Sequence, residues 1–273
     1  MTSLSRDARH RTSARVSALF DMKVRALRRD RAARIGPELF LLDRVFDDCL
    51  ERIALIQRQF GRALLIGCPD PRWPERLRAA AYEVDVRDPG PSFAAAAGGQ
   101  AIVEDCWMPD AESYDLVLSV GTLDSVNDLP LAFQLIRHSM RNDGLFIGAM
   151  SGGETLPRLR SAMRAADGVS GIAAPHVHPR VEAAALSPLL TEAGFITPVV
   201  DVDRVHVSYA SLGRLVSDLR AMAATNFLCS RPSLLSRAAR DAAFQSFGRA
   251  GNGERTIETF EILHFAGWTP KHG

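Results

Sequence analysis

A chain of 273 residues, 47% hydrophobic and 24% charged, is long enough to bury a substantial core and has the composition of a globular protein. Its 33 Lys and Arg against 32 Asp and Glu leave a net charge of +1, which excludes a protein that coats nucleic acid by bulk charge. No apolar run reaches transmembrane length, and the scattered Cys49, Cys68, Cys106 and Cys229 form neither a CxxC pair nor a disulfide framework, so a reducing, cytoplasmic setting is expected.

The charge is uneven along the chain. Ten Lys and Arg between Arg6 and Arg34 face only Asp7, Asp21 and Asp30. This basic start reads as a solvated helix face or as a docking surface for an acidic partner, and the Arg- and Ser-rich residues 1–20 also suit an organelle transit segment. Residues 12–33 are expected to form a helix with an apolar stripe of Val16, Leu19, Phe20, Val24 and Leu27. That stripe should dock on the domain and leave Arg15, Arg25, Arg28, Arg29 and Arg31 facing outward.

A second helix is expected over 38–59, where Phe40, Leu41, Val45, Phe46, Leu50, Ile53 and Ile56 recur near helical spacing. From Ala63 the pattern changes to short apolar runs at 62–67, 82–86, 100–104, 115–120 and 144–150, with helical stretches at 72–81 and 129–141. Strands alternating with helices imply βαβ units, right-handed crossovers and a parallel, doubly wound α/β sheet. Helices at 154–166 and 182–193 follow, then a long strand over 195–209 with a bend at Asp201-Val202-Asp203. Two more helices (211–222 and 232–247) precede a last strand at 256–265. Residues 1–60 read as an N-terminal helical extension, and 61–273 as the main domain with helical insertions at 151–194 and 211–248. His176-x-His178 lies in a Pro-flanked loop without a Cys or carboxylate cluster, so no metal site is expected.

The stretch Ala63-Leu64-Leu65-Ile66-Gly67-Cys68-Pro69-Asp70-Pro71 begins like a buried strand running into a nucleotide-binding turn. Pro69 and Pro71 then stand where further glycines would be expected. Proline has no N–H and fixes φ near −65°, so a donor is removed and the turn is reshaped.

Several motifs occur in order over roughly residues 20–270: Phe20-Asp21, RDRAA at 29–33, SVNDLP at 125–130, NDGLFIGAMSGGETLPRLR at 142–160, EAGF at 192–195, VVDVD at 199–203, DLRAMAATN at 218–226 and TFEILHFAGWTP at 259–270. Together they resemble the class I S-adenosylmethionine (SAM)-dependent methyltransferases. Within that superfamily they are similar to the branch of the complex I assembly factor, a protein-arginine hydroxylase, related to the biotin-synthesis malonyl-carrier-protein methyltransferase. The resemblance implies a seven-stranded Rossmann-like sheet, SAM as cofactor, and a protein substrate or respiratory-complex subunit as partner.

It also implies roles for particular residues. Gly67 would be the glycine retained from the family's L-D-L-G-C-G-T-G turn, in which Leu65, Pro69 and Pro71 replace an acid and two glycines. Asp85, or else Asp88, would accept from the ribose hydroxyls. Asp105 would accept from the adenine amine, with Trp107 or Met108 against the ring; a plain core role for Trp107 is the alternative. Leu123-Asp124-Ser125 departs from the family's Leu-His-Trp, and Asn127-Asp128 also reads as a cap for the next helix. Arg160, Asp218, Arg220, Asn226 and Trp268 fall in family-like motifs over the site mouth. Arg220 and Asn226 would hold a substrate carboxylate or guanidinium, or tie the lid helices to the sheet. Losing two or three charge-assisted hydrogen bonds at roughly 1.5–3 kcal/mol each would move a micromolar cofactor site to millimolar or weaker. Three functions follow: modification of a protein substrate, non-catalytic partner binding on the same fold, and methylation of a carrier-protein carboxylate.

Overall fold

The computed structural model describes residues 18–232 and 234–271. Arg15 and Val16, with the start of the expected first helix, lie outside them. The helices are α1 (Met22–Ile35), α2 (Phe40–Leu55), α3 (Trp73–Leu77), α4 (Pro91–Ala96), α5 (Leu129–Ser139), α6 (Pro157–Ser170), α7 (Ala183–Glu192), α8 (Leu212–Ala221) and α9 (Arg237–Arg249). The strands are β1 (Phe60–Ile66), β2 (Ala81–Asp88), β3 (Gln100–Ala101), β4 (Tyr114–Val120), β5 (Met140–Ser151), β6 (Ile196–Tyr209) and β7 (Thr256–Trp268).

The seven strands form one sheet in the order β3-β2-β1-β4-β5-β7-β6. β1 to β5 are parallel, and β7 enters antiparallel between β5 and β6. The central strands β1 and β4 read as continuous apolar runs because helices cover both of their faces. On one face, Val45, Phe46, Cys49 and Ile53 of α2 join Leu65, Leu118 and Ile147 in a single apolar cluster, where Phe46 stacks on Trp73 at 4.3 Å. On the other face, Phe133 and Ile136 of α5 pack with Phe146 and Phe265. A third cluster joins α6, α8 and α9 through Leu159, Leu215, Ala243 and Phe247.

Two strands differ from the sequence expectation. The third is only two residues long, because after Ala101 the chain leaves β2 and turns through 104–106. The sixth shows no bend at Asp201-Val202-Asp203; β7 pairs with it residue for residue from Val199 to Tyr209, and the register shifts only between Ile196 and Val199. Pairing along the whole strand overrides the weak strand preference of aspartate.

The largest correction concerns α1. Its buried residues are Arg25, Arg29 and Ala32, while Leu19 and Leu27 are 43% and 63% exposed. Phe20 is buried against Phe227 and Leu228, with Val24 beside it, so the apolar stripe docks only at its start. Beyond Val24 the helix presents arginines inward. The reason is what it meets: the carboxylates of Asp88 and Glu104, both fully buried. A buried charge requires a paired, hydrogen-bonded counter-charge, and that requirement outweighs the burial of Leu27.

Candidate functional site

In an open α/β sheet, ligands bind in the crevice beyond the carboxyl ends of the strands, where the strand order reverses. Here that crevice lies beyond β1, β2 and β4. Gly67 follows β1 with φ +84°, and a Cβ there would lie 2.4 Å from the Val120 carbonyl oxygen and 2.6 Å from Thr122 Cγ2. Close packing against the end of β4 is therefore enough to require glycine at this position. The turn that follows folds on itself: Asp70 accepts from the Arg72 backbone N–H and pairs with the Arg72 guanidinium at 2.6 Å, and Pro69 is buried. Leu65 is fully buried in the cluster beneath α2. An acid restored at Leu65 would sit in the core, not in the crevice.

The acid that ends β2 is Asp88. Its Oδ1 accepts from Arg29 Nε at 2.7 Å and the Gly90 N–H at 2.6 Å, and its Oδ2 from Arg29 Nη2 at 2.6 Å and the Cys68 N–H at 2.8 Å. Gly90 lets α1 come this close, since a Cβ there would lie 2.6 Å from that of Arg29. Asp85 stands three residues earlier, engaged by Tyr114 Oη and Arg62 Nη2, each at 2.8 Å.

After β3, Glu104 receives Arg25 in a two-bond fork, at 2.6 and 2.8 Å, and Arg25 Nη2 also donates to the Thr122 carbonyl at 2.6 Å. Bidentate pairing of this kind suits arginine's planar geometry. Asp105 accepts from the backbone N–H groups of Asn127 and Asp128 at 3.0 and 2.9 Å. Asp128 caps α5 through the Leu131 N–H, whereas the Asn127 side chain bonds both the N–H and the carbonyl of Phe20. Trp107 is half-buried against the α5-side cluster, and its indole N–H is buried without a partner. Met108 is 96% exposed and packs on nothing there.

A cavity of about 110 Å³ lies beside the two arginines, lined by Gly121, Met150, Ser151, Leu219 and Phe227 among others. It is smaller than a 150 Å³ cavity that holds a benzene ring. On its wall Arg180 pairs with Asp124 in a buried ion pair. His178, also on the wall, packs edge-on to Phe20 and Phe227 and accepts from the Phe227 N–H at 3.1 Å. Burial, then the charges of Arg180, Arg25 and Arg160, push the His178 ring down from 6.5 to about 3, so it is neutral. His176 instead pairs with Asp167 at 2.7 Å, and among the described residues no group of three or more His, Cys, Asp or Glu is placed to hold a metal.

The roof is pinned by polar contacts. The α6 N-terminus has no side-chain cap of its own; Glu258 of β7 accepts from the Arg158 and Leu159 N–H groups instead. Arg160 donates to the Thr155 and His178 carbonyls. Asn226 donates to the Pro175 carbonyl at 2.7 Å and accepts from the Leu228 N–H at 2.9 Å, so its amide ties loops together. Arg220 is exposed and pairs with no carboxylate among the described residues.

As arranged, these residues do not fit an adenosyl cofactor. The β2-terminal carboxylate already accepts four hydrogen bonds from the chain itself, Glu104 is taken by Arg25, and the prolines remove turn donors. Sequence reasoning missed the part played by Arg25 and Arg29. The available signal was their spacing: residues 25, 29 and 32 share one helix face, and the third is a small alanine.

No family model matches the chain. It is 32% identical over 281 residues to the mitochondrial arginine-hydroxylase NDUFAF5 of Danio rerio, covering 98% of this chain and 88% of that protein. Against the Homo sapiens protein of the same name the identity is 31% over 273 residues, covering 94% and 79%. The malonyl-[acyl-carrier protein] O-methyltransferase of Xylella fastidiosa is 32% identical over 168 residues, covering 60% of this chain and 55% of its own length. The YcgJ protein from Bacillus subtilis superposes with a TM-score of 0.54 at 9% identity, covering 81% of this chain and 97% of that one. A putative methyltransferase from Bacillus halodurans gives the same score and identity, covering 81% and 99%. These two likenesses concern the fold alone. With the strand order above and relatives matched along nearly its whole length, the chain belongs to the NDUFAF5 arginine-hydroxylase family, on the class I SAM-dependent methyltransferase fold.

Proposed function

We propose that this chain acts on a protein in the assembly of respiratory complex I. It would hold a segment of that protein beneath the lid, with its adenosyl site shut in the form described. Within the N-terminal extension, residues 1–60, helix α1 is then the closing element. Residues 61–273 are the methyltransferase-like domain, with lid insertions at 151–194 and 211–248. The arginine-hydroxylase name of the relatives supports a protein-directed role, and four unpaired cysteines are in keeping with a reducing, cytoplasmic setting.

The observation that carries the shut site is the Asp88 carboxylate, filled by Arg29, Cys68 and Gly90. With α1 displaced, Asp88 would be the acid for a ribose, and Asp105 and Trp107 would lie on the adenine side. The same observation favours a second reading, in which the fold serves only to bind a partner. Carrier-protein carboxylate methylation has less support, because that relative matches only 60% of the chain.

Titrating SAM calorimetrically into the wild type and the Arg29→Ala variant tests the shut site. The wild type should show millimolar or weaker binding, and the variant should bind more tightly. Micromolar binding by the wild type would overturn the reading. Mass spectrometry of proteins captured on the tagged chain should identify a respiratory-complex subunit; capture of acyl carrier protein alone would select the carrier reading.

A further inference from the structure

Among the described residues several surface arginines have a carboxylate partner: Arg44 with Asp203, Arg52 with Asp48 and Asp201, Arg76 with Asp47, and Arg78 with Glu75. Others have none, and four of those lie close enough together for Arg31 to feel the charges of the other three. Arg28, Arg31 and Arg34 recur every three residues along one flank of α1, the first two half-buried and the third exposed, and Arg220 in the last turn of α8 lies beside them. Among the described residues none of the four is in an ion pair. Arg31 Nη2 reaches only the Thr225 hydroxyl, at 2.9 Å, and Arg34 Nε only the Asp30 carbonyl, at 3.4 Å. The Nε atoms of Arg28 and Arg31 are buried without a partner. The nearby acid Asp30 is turned to the Ser92 N–H. Arg31 is held below its ordinary value by partial burial and by repulsion from Arg28, Arg220 and Arg34.

The patch adjoins the cavity. Leu219, Met222, Ala223 and Ala224 line that cavity, and Arg220 and Thr225 lie in the same run of chain. We infer that Arg28, Arg31, Arg34 and Arg220 form a docking surface for an acidic peptide segment of the protein substrate, beside the lid. The inference rests on the protein-directed reading above.

Charge complementarity selects the occupant. Four cations without counter-charges attract an acidic chain, and the attraction steers encounter. The chain's own ends do not suit the surface: residues 1–17 carry Arg6, Arg9, Arg11 and Arg15 against Asp7, and the other end carries Lys271. A flexible acidic segment can also place several carboxylates along a row set by helix spacing, which a single small anion cannot do.

The test uses the full chain and a fluorescent hexaglutamate peptide, with fluorescence anisotropy as the readout. The triple variant Arg28→Gln/Arg31→Gln/Arg220→Gln should weaken binding on the order of tenfold. Wild-type binding should also weaken as salt rises. A control variant, Arg237→Gln/Arg240→Gln on α9, should bind like wild type. Equal loss in both variants, or none in the triple, would overturn the surface. It would equally be overturned if inorganic phosphate displaces the peptide at matching concentration, if a 12-mer RNA binds more tightly, or if vesicles with anionic headgroups are held through the same arginines. Should hexaglutamate bind through the patch while capture of the protein substrate is unchanged in the triple variant, the surface stands and its link to the substrate falls.

Discussion

The two sides of α1 place one residue type in opposite circumstances. Inward, Arg25 and Arg29 are 3% and 7% exposed, and each is forked onto a fully buried carboxylate. On the flank, Arg28, Arg31 and Arg34 are in no ion pair among the described residues. The difference shows what holds the helix. Leu19 and Leu27 of its expected apolar stripe stay exposed, yet the helix docks because Asp88 and Glu104 are two desolvated acids that need a buried cation. Removing water from a charge makes its partner indispensable; leaving water in place makes the partner optional.

The largest effect should come from breaking an inner pair. Arg25→Ala strands Glu104, which is wholly buried, and should cost about 3–5 kcal/mol in urea unfolding. The double variant Arg25→Met/Glu104→Met removes both charges and should recover most of that loss, since apolar replacement of a buried pair is often neutral or stabilising. If the double variant is as unstable as the single, the pairing account of α1 fails.

A smaller, pH-dependent effect should come from His178, the neutral ring between Phe20 and Phe227. Its folded value near 3 lies below the ordinary 6.5, so between those values the unfolded chain holds the extra proton. The stability from keeping it neutral is complete above pH 6.5 and is lost as pH falls toward 3. Between pH 8 and 5 the loss should be about 2 kcal/mol, the slope reaching 1.36 kcal/mol per pH unit only below 6.5. His264 is also held low, chiefly by burial, and acts in the same direction. The measurement is therefore the difference between wild type and His178→Gln, whose amide can still accept from the Phe227 N–H. Parallel stability curves for the two would remove His178 as a source of the pH dependence.

Much of the fold was legible because a parallel sheet covered on both faces writes itself as apolar runs. Leu64, Leu65, Ile66 and Val117, Leu118 are wholly buried where such runs were read. The site was less legible. Gly67 marked a turn, but close packing on Val120 accounts for that glycine as well as a ligand would. Asp85 and Asp88 sit in the same short stretch, and only the strand's end shows which of them reaches the crevice. The orientation of α1 was hidden because its determinants lie elsewhere in sequence: Arg25 is 79 residues from Glu104, and Arg29 is 59 from Asp88. A stripe of leucines and valines is local information. A buried acid waiting for a cation is tertiary.

The smallest expected effect separates those two kinds of information. Leu27 lies on the expected apolar stripe, between the two inward arginines in sequence, yet it is 63% exposed. On the sequence reading, Leu27→Gln would remove a docking contact and cost about 1–3 kcal/mol, as for a buried leucine lost to water. On the structural one, the glutamine faces solvent on a helix that tolerates it, and stability should change by no more than about 0.5 kcal/mol. The same experiment with Val24→Gln, which packs beside Phe20, should cost more than Leu27→Gln. Thermal unfolding of the two variants side by side decides the matter. Were Leu27→Gln the more damaging, α1 would be docked by its leucines and the inner arginine pairs would follow from that docking instead of causing it.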